Sequence, residues 1–233
     1  MPEIKNAIEQ GYPAARIREI DRIAIEQYGM DGFELMSRAA RGAFAALLQK
    51  WPDTKSICAF CGTGNNGGDA LVLSALARQA GLQATALVCG KIDKITGTAR
   101  EALDFALAKG VEVVEANGRP FPDILTRPLI IVDGLLGTGT TGSPRNGLVP
   151  AIETINESGC PVLSLDLPSG MDADTGDTPG VCVKADLTVT FIAMKTGLQG
   201  KLAKQNCGDI IIDDLDLPPE IFEAEREHHT DQQ

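Results

Sequence analysis

Ser56-Ile57-Cys58-Ala59-Phe60-Cys61-Gly62-Thr63-Gly64-Asn65-Asn66-Gly67-Gly68-Asp69 runs a short apolar segment into a glycine-rich turn, and a helical pattern follows from Asp69 to Ala80. Such a run of strand-forming residues, punctuated by glycine and followed by helical periodicity, is the repeating unit of a parallel sheet. Further strand-like runs occur at Ala84 to Cys89, Val111 to Val114, Leu129 to Val132, Val162 to Leu165, Leu187 to Ile192 and Asp209 to Ile212. Gly97 to Lys109 and Pro150 to Ser158 supply more helices between them. Upstream, residues 13 to 50 predict two helices, the first carrying Ile17, Ile20, Ala24 and Tyr28 on one side and the second running from about Gly32 to Lys50. The expected architecture is α/β, with a mostly parallel sheet between helical layers and a helical pair at the N-terminus.

The chain has 233 residues, enough to bury a core without staples, and neither a long linker nor an internal repeat divides it. A single domain over 1–217 and an acidic polar tail over 218–233 are expected. A formal charge of −11 disfavours nucleic acid as a partner. No apolar stretch approaches the roughly 20 residues of a membrane span, and the first residues lack a signal-peptide pattern, so a cytoplasmic protein is expected. Both histidines, His228 and His229, fall in the polar tail, which removes histidine as an ordered base or zinc ligand. The six cysteines sit mostly in apolar runs and read as reduced and structural, the formal C-x-x-C at Cys58 and Cys61 included.

In an open parallel sheet, ligands bind beyond the carboxyl ends of the strands. Four segments lie there. Cys61 to Asp69 contains a G-x-G-x-x-G at Gly62, Gly64 and Gly67, but Gln83 to Lys91 offers no acid for a ribose, which demotes nicotinamide-dependent hydride transfer. Asp133 to Ser143 is rich in glycine and hydroxyls, suited to oxyanions, and lacks the Gly-Lys-Ser/Thr of a P-loop. Asp166-Leu167-Pro168-Ser169-Gly170 and Phe191 to Gly197 add a carboxylate, a hydroxyl and Lys195. Together these loops can bring Asp166 and Lys195, an acid/base pair, near the oxygens of Asn66, Asp133 and Ser169, a donor set suited to a hard cation. Taken singly, each residue also has a plain structural reading. Asp166 and Asp69 can cap turns, Lys195 can be a solvated charge, Asn66 and Ser169 can satisfy loop backbone, and Arg16, Arg18 and Arg22 can form the wet face of the first helix. The loop Asp172 to Asp177 reads as a solvated acidic turn, since an EF-hand alignment lacks its final Glu.

Gly64-Asn65-Asn66-Gly67-Gly68-Asp69, Asp133 to Gly139, Asp166-Leu167-Pro168-Ser169-Gly170-Met171 and Lys195-Thr196-Gly197-Leu198 resemble, in order, the motifs of the NAD(P)H-hydrate epimerases, the YjeF N-terminal domain family, across about Ile17 to Leu217. The resemblance implies a Rossmann-like three-layer αβα sandwich, often a homodimer. It implies an isomerase that epimerises the R and S forms of hydrated NADH or NADPH in nicotinamide nucleotide repair, with potassium bound. Carried over by position, Asn65, Asn66, Gly67, Gly68 and Asp69 would contact the substrate, and Gly137, Thr138, Gly139, Thr140, Thr141, Gly142 and Ser143 would cradle its phosphates. Asp166 would face the substrate, Asn66, Asp133 and Ser169 would hold potassium, and Lys195 matches a lysine of catalytic type. Many relatives carry a dehydratase domain that this chain is too short to contain, so a separate NAD(P)HX dehydratase is an expected partner. Ala70, Thr196 and the Ser37-Arg38-Ala39-Ala40-Arg41 stretch depart from the family pattern. The alternative is a non-catalytic nucleotide-binding or protein-interaction module of the same fold.

Overall fold

A computed structural model describes residues 8–116, 130–140, 142–145, 147–201 and 203–230. In chain order the elements are helices α1 (Ala14–Glu26) and α2 (Gly32–Lys50), strand β1 (Ser56–Cys61), α3 (Asn65–Gln79), β2 (Gln83–Val88), α4 (Gly97–Ala108), β3 (Glu112–Glu115), β4 (Ile130–Gly134), α5 (Val149–Glu157), β5 (Val162–Leu165), β6 (Leu187–Phe191), the short α6 (Ala203–Asn206), β7 (Asp209–Asp213) and α7 (Pro219–Thr230). The seven strands form one sheet in the order β3-β2-β1-β4-β5-β6-β7, with every pairing parallel. This is the Rossmann-like α/β fold, and its strand order reverses between β1 and β4, where a crevice opens.

Alternation along β1 shows how the two faces are filled. Ile57, Ala59 and Cys61 join the core under α2, α3 and α4, while Cys58 and Phe60 point to the opposite face, where Ile152 and Ile155 of α5 cover them. Helix α3 is buried along nearly its whole length, because it packs on α2 and α4 as well as on β1. Cys58 and Cys61 are buried thiols within β1, and burial pushes the Cys58 thiol up to about 12, so both are inert packing residues.

The sequence-based boundaries shift in informative places. Helix α3 begins at Asn65, four residues before the expected Asp69, so Asn65 to Gly68 are its first turn. Glycine is a poor helix former, but a Cβ on Gly67 would run into the Gly62 carbonyl oxygen, so the helix can start this close to β1 only with glycine there. Tyr28 lies beyond the end of α1 and is exposed. Leu129, expected to open the fourth strand, lies outside the described residues.

The expected polar tail, 218–233, is not a tail over its described part. Residues 219–230 form α7, which packs on α1 with Ile221, Phe222 and Glu225 buried. The physical reason is a long-range ion pair: Arg16 grips Glu225 with two hydrogen bonds of 2.5 Å, which offsets the cost of burying the carboxylate. Arg16 is therefore no part of a wet face. Arg22 is, pairing at the surface with Glu19 and Glu26. The turn at Asp172 also does more than stay solvated, since Asp174 accepts a 2.6 Å hydrogen bond from the Ala14 amide at the start of α1. Among the described residues no helix is long and apolar enough to cross a membrane.

Candidate active site

A cleft of about 1340 Å³ opens at the carboxyl ends of the strands, large enough for a dinucleotide. Its walls include Asn65, Asn66, Gly67 and Asp69 from the start of α3, Gly137 to Thr140 after β4, Asp166 after β5 and Lys195 after β6, so one cavity gathers residues from all four segments. Ser143 also lines it, Gly142 and Gly68 do not, Gly68 being packed against Met36, and Thr141 lies outside the described residues.

Strands β5 and β6 end alike. Asp166 and Ile192 both occupy the left-handed region, with φ of 66° and 70°, and each sits inside a three-residue turn. The turns are closed by Leu167 N–H to Leu165 O and Ala193 N–H to Phe191 O, both at 2.8 Å. For residues with a Cβ this conformation costs roughly 1–3 kcal/mol each. Its effect is local. The β5 turn presents the Asp166 carboxylate to the cleft, and in the β6 turn the Phe191 carbonyl accepts from Lys195 Nζ at 2.6 Å as well as from Ala193 N–H.

Lys195 is fully buried and its Nζ is 2.5 Å from Asp166 Oδ1. The other oxygen of Asp166 accepts from the Thr138 amide at 3.0 Å, so both carboxylate oxygens are held. Burial pulls the Lys195 ammonium below its usual value, while the adjoining Asp166 carboxylate pushes back. The segment carrying Lys195 is clamped by the N-terminal stretch: Tyr12 N–H donates to Met194 O at 2.7 Å, and Thr196 N–H donates to Tyr12 O at 3.1 Å. Thr196 thus supplies a hydrogen bond that a proline at this position could not.

Asp133, near the end of β4, is fully buried and does not itself line the cleft, nor does Ser169. Its carboxylate accepts from Leu135 N–H, Ser164 Oγ, Ser169 N–H and Ser169 Oγ, at 3.2, 2.8, 2.9 and 2.6 Å. Burial pushes its pKa up against those donors. Ser169 Oγ in turn accepts from Leu136 N–H at 2.9 Å. Asn66 donates from Nδ2 to the carbonyls of Leu136 and Leu165, at 2.8 and 3.2 Å. Asn66 and Ser169 therefore do satisfy loop backbone. One atom is left over: Asn66 Oδ1 is buried without a hydrogen-bond partner among the described residues. A Cβ on Gly137 would sit 3.0 Å from Asp166 Oδ2 and 3.3 Å from Asn66 Cβ, so this knot of oxygens and the Asp166 carboxylate flank one glycine.

Two features of the site were missed in the sequence. Asp21, on α1, lines the cleft opposite Asp69, and burial raises its carboxyl pKa. Asp69 keeps a partly open side toward the cleft, yet desolvation, followed by the charges of Asp166 and Asp21, pushes its pKa well above the carboxylate range. Arg18 was expected on a wet helix face but also reaches into the cleft, donating to Thr138 O at 3.1 Å. Only the helical period of α1 could have hinted at either, by placing Arg18 and Asp21 three residues apart on one side.

Comparison with known proteins agrees with this geometry. The profile of the YjeF-related protein N-terminus matches residues 32–197. The bifunctional NAD(P)H-hydrate repair enzyme Nnr of Coxiella burnetii is 42% identical over 214 residues, covering 91% of this chain and 43% of that protein. The NAD(P)H-hydrate epimerases of Rhodopirellula baltica and Pirellula staleyi are 35% and 32% identical, and the matches cover 84% and 96% of their lengths. This chain thus spans less than half of the Coxiella protein and most of the two epimerases. The crystal structure of yeast ynu0 superposes with a TM-score of 0.81 over 93% of both chains at 19% identity, a likeness of fold. Profile, relatives and the ordered motifs around one crevice agree that the chain belongs to the YjeF-related protein N-terminus family.

Proposed function

We propose that this protein is an isomerase that interconverts the R and S hydrates of NADH and NADPH. The observation that carries this reading is the Asp166–Lys195 pair, set at 2.5 Å in the wall of a cleft that also holds the glycine-rich start of α3 and the 137–140 loop. Family membership supports it, since the two relatives matched along most of their length are named NAD(P)H-hydrate epimerases.

Hydration leaves a hydroxyl on carbon 6 of the reduced nicotinamide, beside an electron-rich nitrogen. Loss of that hydroxyl as water gives a planar cation, and return of water to the other face inverts the centre. The proton that lets the hydroxyl leave needs a neutral acid. Asp69, in the wall of the cleft and with its carboxyl pKa pushed up by desolvation, takes this role. Asp69 becomes a carboxylate when the hydroxyl departs and recovers its proton from the returning water. Asp166 faces the cation with its negative charge, and Lys195, buried behind it, positions that charge. The first-turn amides of α3 and those of residues 137–140 hold the phosphates.

Potassium is the proposed cofactor, held by Asn66, Asp133 and Ser169. Asn66 Oδ1 is buried without a donor, Asn66 Nδ2 and Ser169 Oγ share the Leu136 carbonyl, and Ser169 Oγ joins the Asp133 carboxylate, a set of oxygens of the kind a hard cation prefers. When bound, the ion supplies a fixed positive charge that steadies the loops around the substrate. Among the described residues no cluster of three His, Cys, Asp or Glu side chains suits a transition metal. We take it to be a cytoplasmic homodimer whose partner activity is that of an NAD(P)HX dehydratase.

The test is direct: incubate the purified protein with the R hydrate and follow the epimers by chromatography. Conversion with no change in redox state supports the proposal. A protein that leaves the R hydrate unchanged, with and without potassium, would overturn it.

A further inference from the structure

We infer that the rim of the cleft beyond β2 is a recognition site for a phosphate on the 2′ position of the adenosine ribose, so the chain favours the hydrate of NADPH over that of NADH. The inference rests on the epimerase reading for the identity of the substrate, and on the following observations for the site.

The parts of the ligand follow the order of the strands. The reacting ring belongs beside Asp166, at the end of β5. The pyrophosphate belongs at the first turn of α3 and the 137–140 loop, which follow β1 and β4. What remains of an extended dinucleotide, the adenosine, then lies over β2, three strand spacings or about 14 Å from β5. In this topology the end of β2 is where a ribose is read. A carboxylate there accepts from a free 2′-hydroxyl, and a cation there accommodates a 2′-phosphate.

This chain has cations there. Beyond Val88, Cys89 and Gly90 lead to Lys91 and Lys94, and both lysines line the cleft, as does Arg145. None of the three forms an ion pair among the described residues, although the chain as a whole carries a charge of −11. Asp93, between the lysines, is not part of the wall. Glu115, the acid at the end of neighbouring β3, accepts from the Ile92 amide at 2.7 Å and is likewise not part of it. The local field at the end of β2 is therefore positive where an NAD-type ribose site would be negative, and a second anionic group is what it suits.

Titration calorimetry of the full chain with adenosine 2′,5′-bisphosphate and with 5′-AMP tests the site without any need for turnover. The expected result is at least about tenfold tighter binding of the bisphosphate at low salt, with the gap narrowing as salt rises. The double variant Lys91→Ala, Lys94→Ala should lose most of that gap, and Lys91→Arg, Lys94→Arg should keep it. Both positions are exposed, so folding is not at stake. Equal binding of the two nucleotides by the wild-type chain, or a gap that survives in the alanine variant, overturns the inference. Epimerisation then separates it from the reading beneath it. Bisphosphate preference in a protein that epimerises neither hydrate upholds the 2′-phosphate site and removes the epimerase. Equal kcat/KM for both hydrates upholds the epimerase and removes the preference.

Discussion

Lys195 Nζ and Asp166 Oδ1 meet at 2.5 Å because two neighbouring strands, β5 and β6, each end in a tight left-handed turn. One turn aims the carboxylate, and the other offers the ammonium a carbonyl at its back. Neither residue could hold its place alone: a buried ammonium without Asp166 is an uncompensated charge.

Removing either partner should therefore affect both activity and stability. Asp166→Asn is expected to reduce epimerisation by ~10²-fold or more, as loss of the charge facing the cation requires. Lys195→Met should cost about 3–5 kcal/mol of stability in urea unfolding, the usual penalty for breaking a buried pair. Near-normal turnover by Asp166→Asn would count against the assignment.

The acid role of Asp69 gives a pH signature. Its folded-state pKa is raised, so below the unfolded value of about 4 both states are protonated and no penalty exists. As pH rises past that value the unfolded chain ionises while the native one holds its proton, and stability falls until the raised pKa is reached. Asp69→Asn should remove this fall and be more stable than the wild type at neutral pH, yet slower in epimerisation. Identical pH–stability curves for the two proteins would refute the assignment.

Potassium should raise the melting temperature more than lithium does at equal ionic strength, because a ligand that binds only the folded state stabilises it by mass action. In Asn66→Ala the difference between the two salts should vanish. The wild-type protein responding equally to both ions would leave no case for a selective site at Asn66, Asp133 and Ser169.

Deleting residues 218–233 removes Ile221 and Phe222 from the core and leaves Arg16 without Glu225. Burial of two such side chains contributes roughly 3–6 kcal/mol, so the truncated chain should unfold at clearly lower urea concentration. An unchanged midpoint would mean that α7 is only loosely docked.

Much of the architecture was legible because each strand is an apolar run closed by a turn, and β5 was bounded correctly at both ends, Val162 and Leu165. What escaped shares a cause: it depends on partners far away in sequence. Helix α7 has few apolar residues and is held by Arg16, more than 200 positions earlier. The first turn of α3 looked like a loop because its glycines answer to the neighbouring backbone of β1 and not to helix propensity. The site motifs could be quoted from the sequence, but the upward pKa shift of Asp69 could not, since it arises from desolvation and from the charges of Asp166 and Asp21, both distant in sequence.

The clamp made by Tyr12 has a bearing on how the pocket stays dry. By pairing with the backbone on both sides of Lys195, the N-terminal stretch acts as a gasket behind the ammonium. If it frayed, solvent would reach the ion pair from the rear and weaken its grip. The Thr196 amide should thus be among the slowest in the molecule to exchange with deuterium, and a chain cut just before Ala14 should leak there first.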